Sequence, residues 1–248
     1  LPGPGWFAGG VSDDGAQVAF VRYRSANESQ VWLVNTGDGR VKQVLPTPNE
    51  ALRATHLAGA FSKDGKRLYV VSDRASEFRE AMNLDIASGV LTRVTSHIPW
   101  DVSSSAASDD GRWFAAQINA DGRDELRLFD AATAKELAAP KLPAGSIGNN
   151  MQFHRTTHQL AFSVNSAKGP NELFVLDPAS GRSVQWTRAQ APAGIDTSNY
   201  AEQSIVRWKS FDGLTISGLL TRPPQRFTGK RPVIVSIHGG PEAQATMG

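Results

Sequence analysis

Cysteine is absent from the 248 residues, and with it go disulfides, thiolate metal sites and a cysteine nucleophile. That absence does not fix a compartment, and cytoplasm and periplasm both stay open. No apolar run approaches the ~18 residues of a membrane-spanning helix, so no membrane partner is expected. Neither sign of charge dominates: 26 Lys+Arg against 24 Asp+Glu leave +2, interspersed along the chain. A nucleic-acid binder concentrates its cations in a stripe or cluster; none is present, so no nucleic-acid partner is expected either. The chain begins at Leu1, and Leu1-Pro2-Gly3-Pro4-Gly5 lacks the basic and then apolar pattern of a signal peptide. A processed or truncated N-terminus is the expectation. The first three quarters also contain no stretch long and amphipathic enough for a three-turn helix.

What the chain does contain is a repeat. Ser12-Asp13-Asp14-Gly15, Ser62-Lys63-Asp64-Gly65 and Ser108-Asp109-Asp110-Gly111 are copies of one turn, and His154-Arg155-Thr156-Thr157 sits at the same phase without the Asp-Gly. An apolar run follows each: Val18–Val21, Leu68–Val71, Phe114–Ala116 and Leu160–Phe162. A second anchor then recurs at Asn35, Asp85, Asp130 and Asp177, with Gly39, Gly89, Ala134 and Gly181 four residues further on. An Asp-Gly between short apolar runs supplies the positive φ of a tight hairpin. Four-stranded units recurring every ~40–50 residues are the arithmetic of propeller blades. The fold class is therefore mainly β: a partial β-propeller over 1–190 with blades at about 6–48, 55–97, 101–142 and 147–188. A linker over 191–202 follows, containing Pro192 and Gly194.

Beyond residue 203 the pattern changes. Gln203–Trp208 and Leu214–Leu220 flank Phe211-Asp212-Gly213 and read as a hairpin, closed by Pro223 and Pro224. Val233-Ile234-Val235-Ser236-Ile237 reads as a strand buried on both faces. It opens into His238-Gly239-Gly240-Pro241, with Pro241 suited to the first turn of a helix. A strand ending in a His-Gly-Gly loop is how an α/β-hydrolase presents half of its oxyanion hole. Backbone N–H groups of Gly239 and Gly240 could meet the charge of a tetrahedral intermediate there, a donor worth about 10²–10³ in rate. Glycine permits the sharp turn and the close approach of substrate. Residues 203–248 thus read as the truncated N-terminal part of an α/β-hydrolase domain. In such folds the serine, acid and histidine follow later in the chain, and no Gly-x-Ser-x-Gly occurs in these residues.

Taken with the blades, the segments 210–218, 231–235 and His238-Gly239-Gly240-Pro241-Glu242 resemble the prolyl oligopeptidase family of serine peptidases, in its acylaminoacyl-peptidase-like bacterial branch. The resemblance implies hydrolysis of short peptides through an acyl-enzyme, with the Gly240 N–H in the oxyanion hole, Gly239 beside it, and His238 a loop residue and not the general base. It also implies a seven-bladed propeller, of which four blades are present, and a remainder of the same polypeptide carrying the triad, without which this chain is expected to be inactive. No cofactor or metal is implied, and an oligomer stays possible. An esterase of the same fold, or a non-catalytic TolB-like propeller that binds a partner, would share much of this sequence.

The remaining candidates read as structural. Asp14, Asp64 and Asp110 sit one per blade, without a metal-ligand spacing. His56, His97, His154 and His158 are scattered, and the last pair shares no helix face. Glu77 and Glu80 read as a solvated loop in the second blade; in related dipeptidyl-peptidases acidic propeller residues hold a substrate's amino terminus. Asn27-Glu28-Ser29 is a chance-level glycosylation triplet, and Trp32, Trp113 and Trp186 read as core. An incomplete ring exposes unpaired blade faces, so poor solubility is expected.

Overall fold

Three of the four first-anchor turns form by one chemistry. The Ser12 hydroxyl accepts the Gln17 N–H at 2.9 Å and donates to Asp14 at 2.6 Å. The Gly15 N–H closes on the Ser12 carbonyl at 2.8 Å, with Gly15 at φ +68°. Ser62 with Asp64, and Ser108 with Asp110, repeat the arrangement. The fourth copy keeps the frame, with His154 N–H on the Gln159 carbonyl at 2.8 Å, but its left-handed residue is His158 at φ +57°. The second anchors close equally regularly: the N–H of Gly39, Gly89, Ala134 and Gly181 bonds the carbonyl of Asn35, Asp85, Asp130 and Asp177 at 2.8–2.9 Å.

These turns order a computed structural model that describes residues 1–248 apart from 48, 49, 51, 52, 143, 144, 149, 191, 225, 241 and 242, and apart from the side chain of Ser198. The first sheet is β1 (Trp6–Val11), β2 (Gln17–Ser25), β3 (Glu28–Asn35) and β4 (Val41–Leu45), antiparallel in chain order. The second is β5 (His56–Phe61), β6 (Arg67–Ser72), β7 (Glu80–Asp85) and β8 (Leu91–Arg93). The third has β9 (Asp101–Ala107), β10 (Trp113–Ala120) and β11 (Arg123–Asp130), with a Phe129–Glu136 bridge in place of a fourth strand. In the last, β12 (Ser146–Ile147) and β13 (Gln152–Phe153) both pair with β14 (Leu160–Ser166), followed by β15 (Gly169–Asp177) and β16 (Arg182–Gln185). After a 3₁₀ turn, Thr197–Asn199, the hairpin β17 (Gln203–Lys209) and β18 (Thr215–Thr221) completes the ordered elements.

Alternation along each strand shares its side chains between two seams. Leu68 and Val70 of β6 join Ala19, Val31 and Leu33 of the first sheet, whereas Tyr69 and Val71 join Phe114, Ala116 and Ile118 of the third. Ala115, Leu126 and Leu128 then turn toward Leu160, Phe162 and Leu176 of the fourth. Tyr69 stacks on Phe114 with centroids 4.5 Å apart. Each large side chain removed from water in this way contributes about 1.5–3 kcal/mol. The outer faces of the end sheets have no such partner: Phe20, Trp32 and Val34 are half-buried, and Leu173, Val184 and Trp186 are exposed.

Strands nearest the axis, β1, β5 and β9, are built from small residues because neighbouring strands converge there. A Cβ on Gly10 would stand 2.3 Å from the Gly59 carbonyl oxygen, and one on Gly9 would stand 2.9 Å from the Ala58 Cβ. Ser105, Ala106 and Ala107 continue the pattern in β9.

One expected element does not form. Residues 233–237 belong to no ladder, and Val233, Ile234, Val235 and Ile237 are 76–94 % exposed. A strand covered on both faces needs a neighbour at each edge. Among the described residues the adjacent strands, β17 and β18, pair with each other, which leaves this run without a sheet to join.

Candidate functional site

The segment bearing the two candidate glycines lies on one end of the propeller. Asp121 and Gly122, at φ +56° and +86°, make the two-residue turn between β10 and β11; two positive φ angles suit the twist of a tight hairpin. Four contacts gather on this turn and on the corresponding turn of the fourth sheet. Arg207 of β17 is ion-paired with Asp121, and the Met247 N–H bonds the Gly122 carbonyl at 2.7 Å. The Asn119 side-chain amide donates to Gln244 at 2.7 Å, and Lys168 pairs with Glu202 at 2.5 Å. Sequence reasoning did not single out Asn119, Asp121 or Arg207, although Asp121-Gly122 is the same hairpin dipeptide as the repeat anchors.

Gly239 and Gly240 are exposed, and a Cβ on Gly239 would meet nothing within 4 Å. The His238 ring Nδ1 bonds the Gly239 carbonyl at 2.7 Å. The expected placement of this pair at the tip of a buried strand is therefore corrected: with residues 233–237 unpaired, nothing fixes the direction of the glycine amides. Pro241 and Glu242 lie outside the described residues, and so does the helix start expected at Pro241.

The other candidates take up structural roles. Asp14 and Asp64 are held below the usual carboxylate range by the hydroxyls of Ser12 and Ser62, and no group of metal-binding side chains gathers among the described residues. His56 is buried, and Ser72 bonds its Nδ1 at 2.9 Å. Burial, with the Arg74 cation nearby, lowers its pKa to about 4. Ser29 grips the same residue's backbone across the first seam: its hydroxyl donates to the His56 carbonyl at 2.7 Å and accepts the His56 N–H at 2.6 Å. His97 bonds Glu136 at 2.5 Å, and His154 caps its own turn by accepting the Thr157 N–H at 3.1 Å.

Two readings change. Glu80 is not a solvated loop residue: it starts β7, is buried, and is held by Arg93 through bonds of 2.6 and 2.5 Å. That bond, with one from Ser76, lowers its pKa in spite of burial. Glu77 is exposed. Trp186, read as core, is 70 % exposed because, among the described residues, no further sheet covers the fourth.

At the opposite end of the propeller the four repeat turns converge. Their second residues alternate in sign, Asp13, Lys63, Asp109 and Arg155, with Lys63 on Asp13 at 2.5 Å and Arg155 on Asp109 at 3.1 Å. They rim an open depression of about 660 Å³ floored by Phe61, Met151 and Phe153. Each pair is exposed and worth at most about 1 kcal/mol, so this rim has the character of a seam fastening.

The family model for the N-terminal β-propeller domain of prolyl oligopeptidase matches residues 4–189. Solved structures sharing the fold include a puromycin hydrolase (TM-score 0.73, 19% identity, covering 90% of this chain and 35% of that one). Another comes from a study of two prolyl endopeptidases and inter-domain dynamics (0.72, 16%, 87% and 30%). A third is prolyl oligopeptidase B from Galerina marginata bound to a 25-residue macrocyclization substrate (0.71, 16%, 89% and 31%). The chain thus spans about a third of the length of these proteins. No curated protein matches it.

Proposed function

Because this chain belongs to the prolyl oligopeptidase family, we propose that it supplies propeller blades and the leading hydrolase hairpin of a serine peptidase acting on short peptides. The observation that carries this reading is the match over residues 4–189, joined to the hairpin and the His238-Gly239-Gly240 loop that follow it in sequence. In this proposal a serine supplied by the remainder of the polypeptide attacks the peptide carbonyl. The amide leaves as an amine, and water hydrolyses the acyl-enzyme. The Gly240 N–H, with Gly239 giving room, receives the oxyanion once flanking strands pair with residues 233–237 and fix the loop. The propeller caps the site and limits access to short or flexible chains.

The test uses a fluorophosphonate probe, which esterifies an activated serine. The longer protein containing this chain should be labelled and should cleave peptides faster than simple esters; the 248-residue chain alone should stay unlabelled. Stoichiometric labelling of the chain alone, or an unlabelled longer protein, would overturn the reading. A preference for esters would favour the acyl-hydrolase alternative.

A further inference from the structure

Between their second and third strands the first, third and fourth sheets turn in two residues, whereas the second spends residues 73–79. That longer excursion is firmly built. Ser76 accepts the Phe78 N–H at 3.2 Å and donates to Glu80 at 2.7 Å. The Arg79 N–H donates to the Asp101 carboxylate at 2.8 Å, and the Val102 N–H bonds the Arg79 carbonyl at 2.8 Å. Phe78 is thereby set against Trp100, with centroids 6.2 Å apart and planes at 53°. Both rings keep surface open: Phe78 is half-buried and Trp100 is 37 % exposed.

The position of the pair is informative. Trp100 immediately precedes β9, the innermost strand of its sheet. Asp101 lies opposite Asn119, whose side chain bonds Gln244. Gln244 is four residues beyond Gly240, a span of at most ~14 Å of extended chain. The aromatic pair therefore lies at the end of the third sheet that the Gln244 segment and Arg207 also contact. The ion pairs around the pair are closed, Arg79 on Asp101, Arg93 on Glu80 and Arg74 on Glu50. What the pair presents to a ligand is aromatic surface, flanked by the exposed Glu77.

We propose that Phe78 and Trp100 form a subsite for an apolar side chain of the peptide substrate, on the end of the propeller that the chain's C-terminal segment contacts. This rests on the peptidase reading above. A rigid, partly desolvated aromatic pair holds an apolar group without the ordering cost of a mobile loop. It discriminates against small side chains through the apolar area they fail to bury.

Two measurements test it. In the first, the ¹⁵N-indole-labelled chain is titrated with acetyl-Ala-Phe-Ala amide and with acetyl-Ala-Gly-Ala amide. The Trp100 indole signal, assigned by its loss in Trp100→Phe, should shift saturably with the first peptide only. No shift, or one no larger than those of the exposed Trp186 and Trp208, overturns the subsite. In the second, Trp100→Ala in the longer enzyme should raise KM about tenfold more for peptides with Phe or Leu near the scissile bond than for those with Gly. An equal loss on both classes overturns it. Failure of the peptidase reading shows itself differently, as absent fluorophosphonate labelling with the Trp100 indole shift still present.

Discussion

Acid should weaken this fold in a window set by one imidazole. His56 is 1 % exposed, its Nε2 has no hydrogen-bond partner, and burial and then the Arg74 cation lower its pKa from 6.5 to about 4, against smaller opposing effects of Asp73 and Glu50. The unfolded chain takes up a proton at this site as pH falls through about 6.5, whereas the folded chain resists until about 4. The stabilising contribution is thus complete above the unfolded value and is lost as pH descends toward the folded one. At about 1.4 kcal/mol per pH unit the total is about 3 kcal/mol, of which about 2.5 is gone by pH ~4.5. That is a large share of the 5–15 kcal/mol typical of a domain. Carboxylates held low, such as Asp14 and Asp64, give up their contribution only at lower pH, so the windows separate. Urea unfolding from pH ~7.5 to ~4.5 measures the slope, and His56→Gln should flatten it while costing some stability throughout. If the variant keeps the parent's slope, the assignment of this acid sensitivity to His56 is wrong.

Gly10→Ala should cost about 2 kcal/mol or more in urea unfolding, because its Cβ would meet a backbone oxygen of Gly59 at 2.3 Å and the axial strands must part; an unchanged midpoint would refute their close packing. Ala134→Gly should stabilise by about 0.5–1 kcal/mol. Ala134 holds φ +58° where the other three blades use Gly, and relief of that strain outweighs the entropy of the new glycine. A lower midpoint for this variant would refute the argument.

The legible parts of the sequence were those where one residue type meets one backbone demand. Asp-Gly and Asx anchors revealed the turns because positive φ excludes most side chains, and with the turns came the alternating strands. The axial strands were harder. Gly9, Gly10, Ala58, Gly59, Ala106 and Ala107 have poor strand propensity, and their smallness makes sense only once a neighbouring strand is in place. Residues 233–237 failed in the opposite way: a β-branched run signals burial, yet burial requires edges that no residue in the run provides. Glu80 read as loop because its partner Arg93 stands on the neighbouring strand, thirteen residues on, and Trp186 read as core because aromatic character does not reveal which face of a sheet is covered. At the glycine site the motif was visible, while among the described residues no strand pairs with 233–237 to fix its geometry.

The rim formed by Asp13, Lys63, Asp109 and Arg155 carries a rule of parity. Opposite charges can alternate without interruption only around an even number of positions. Among the described residues the first and third junctions carry an ion pair, Lys63 on Asp13 and Arg155 on Asp109, and an odd number of such positions would break the alternation somewhere. Each fastening is worth at most about 1 kcal/mol, so the rim sets which sheets lie side by side while the apolar seams hold them together.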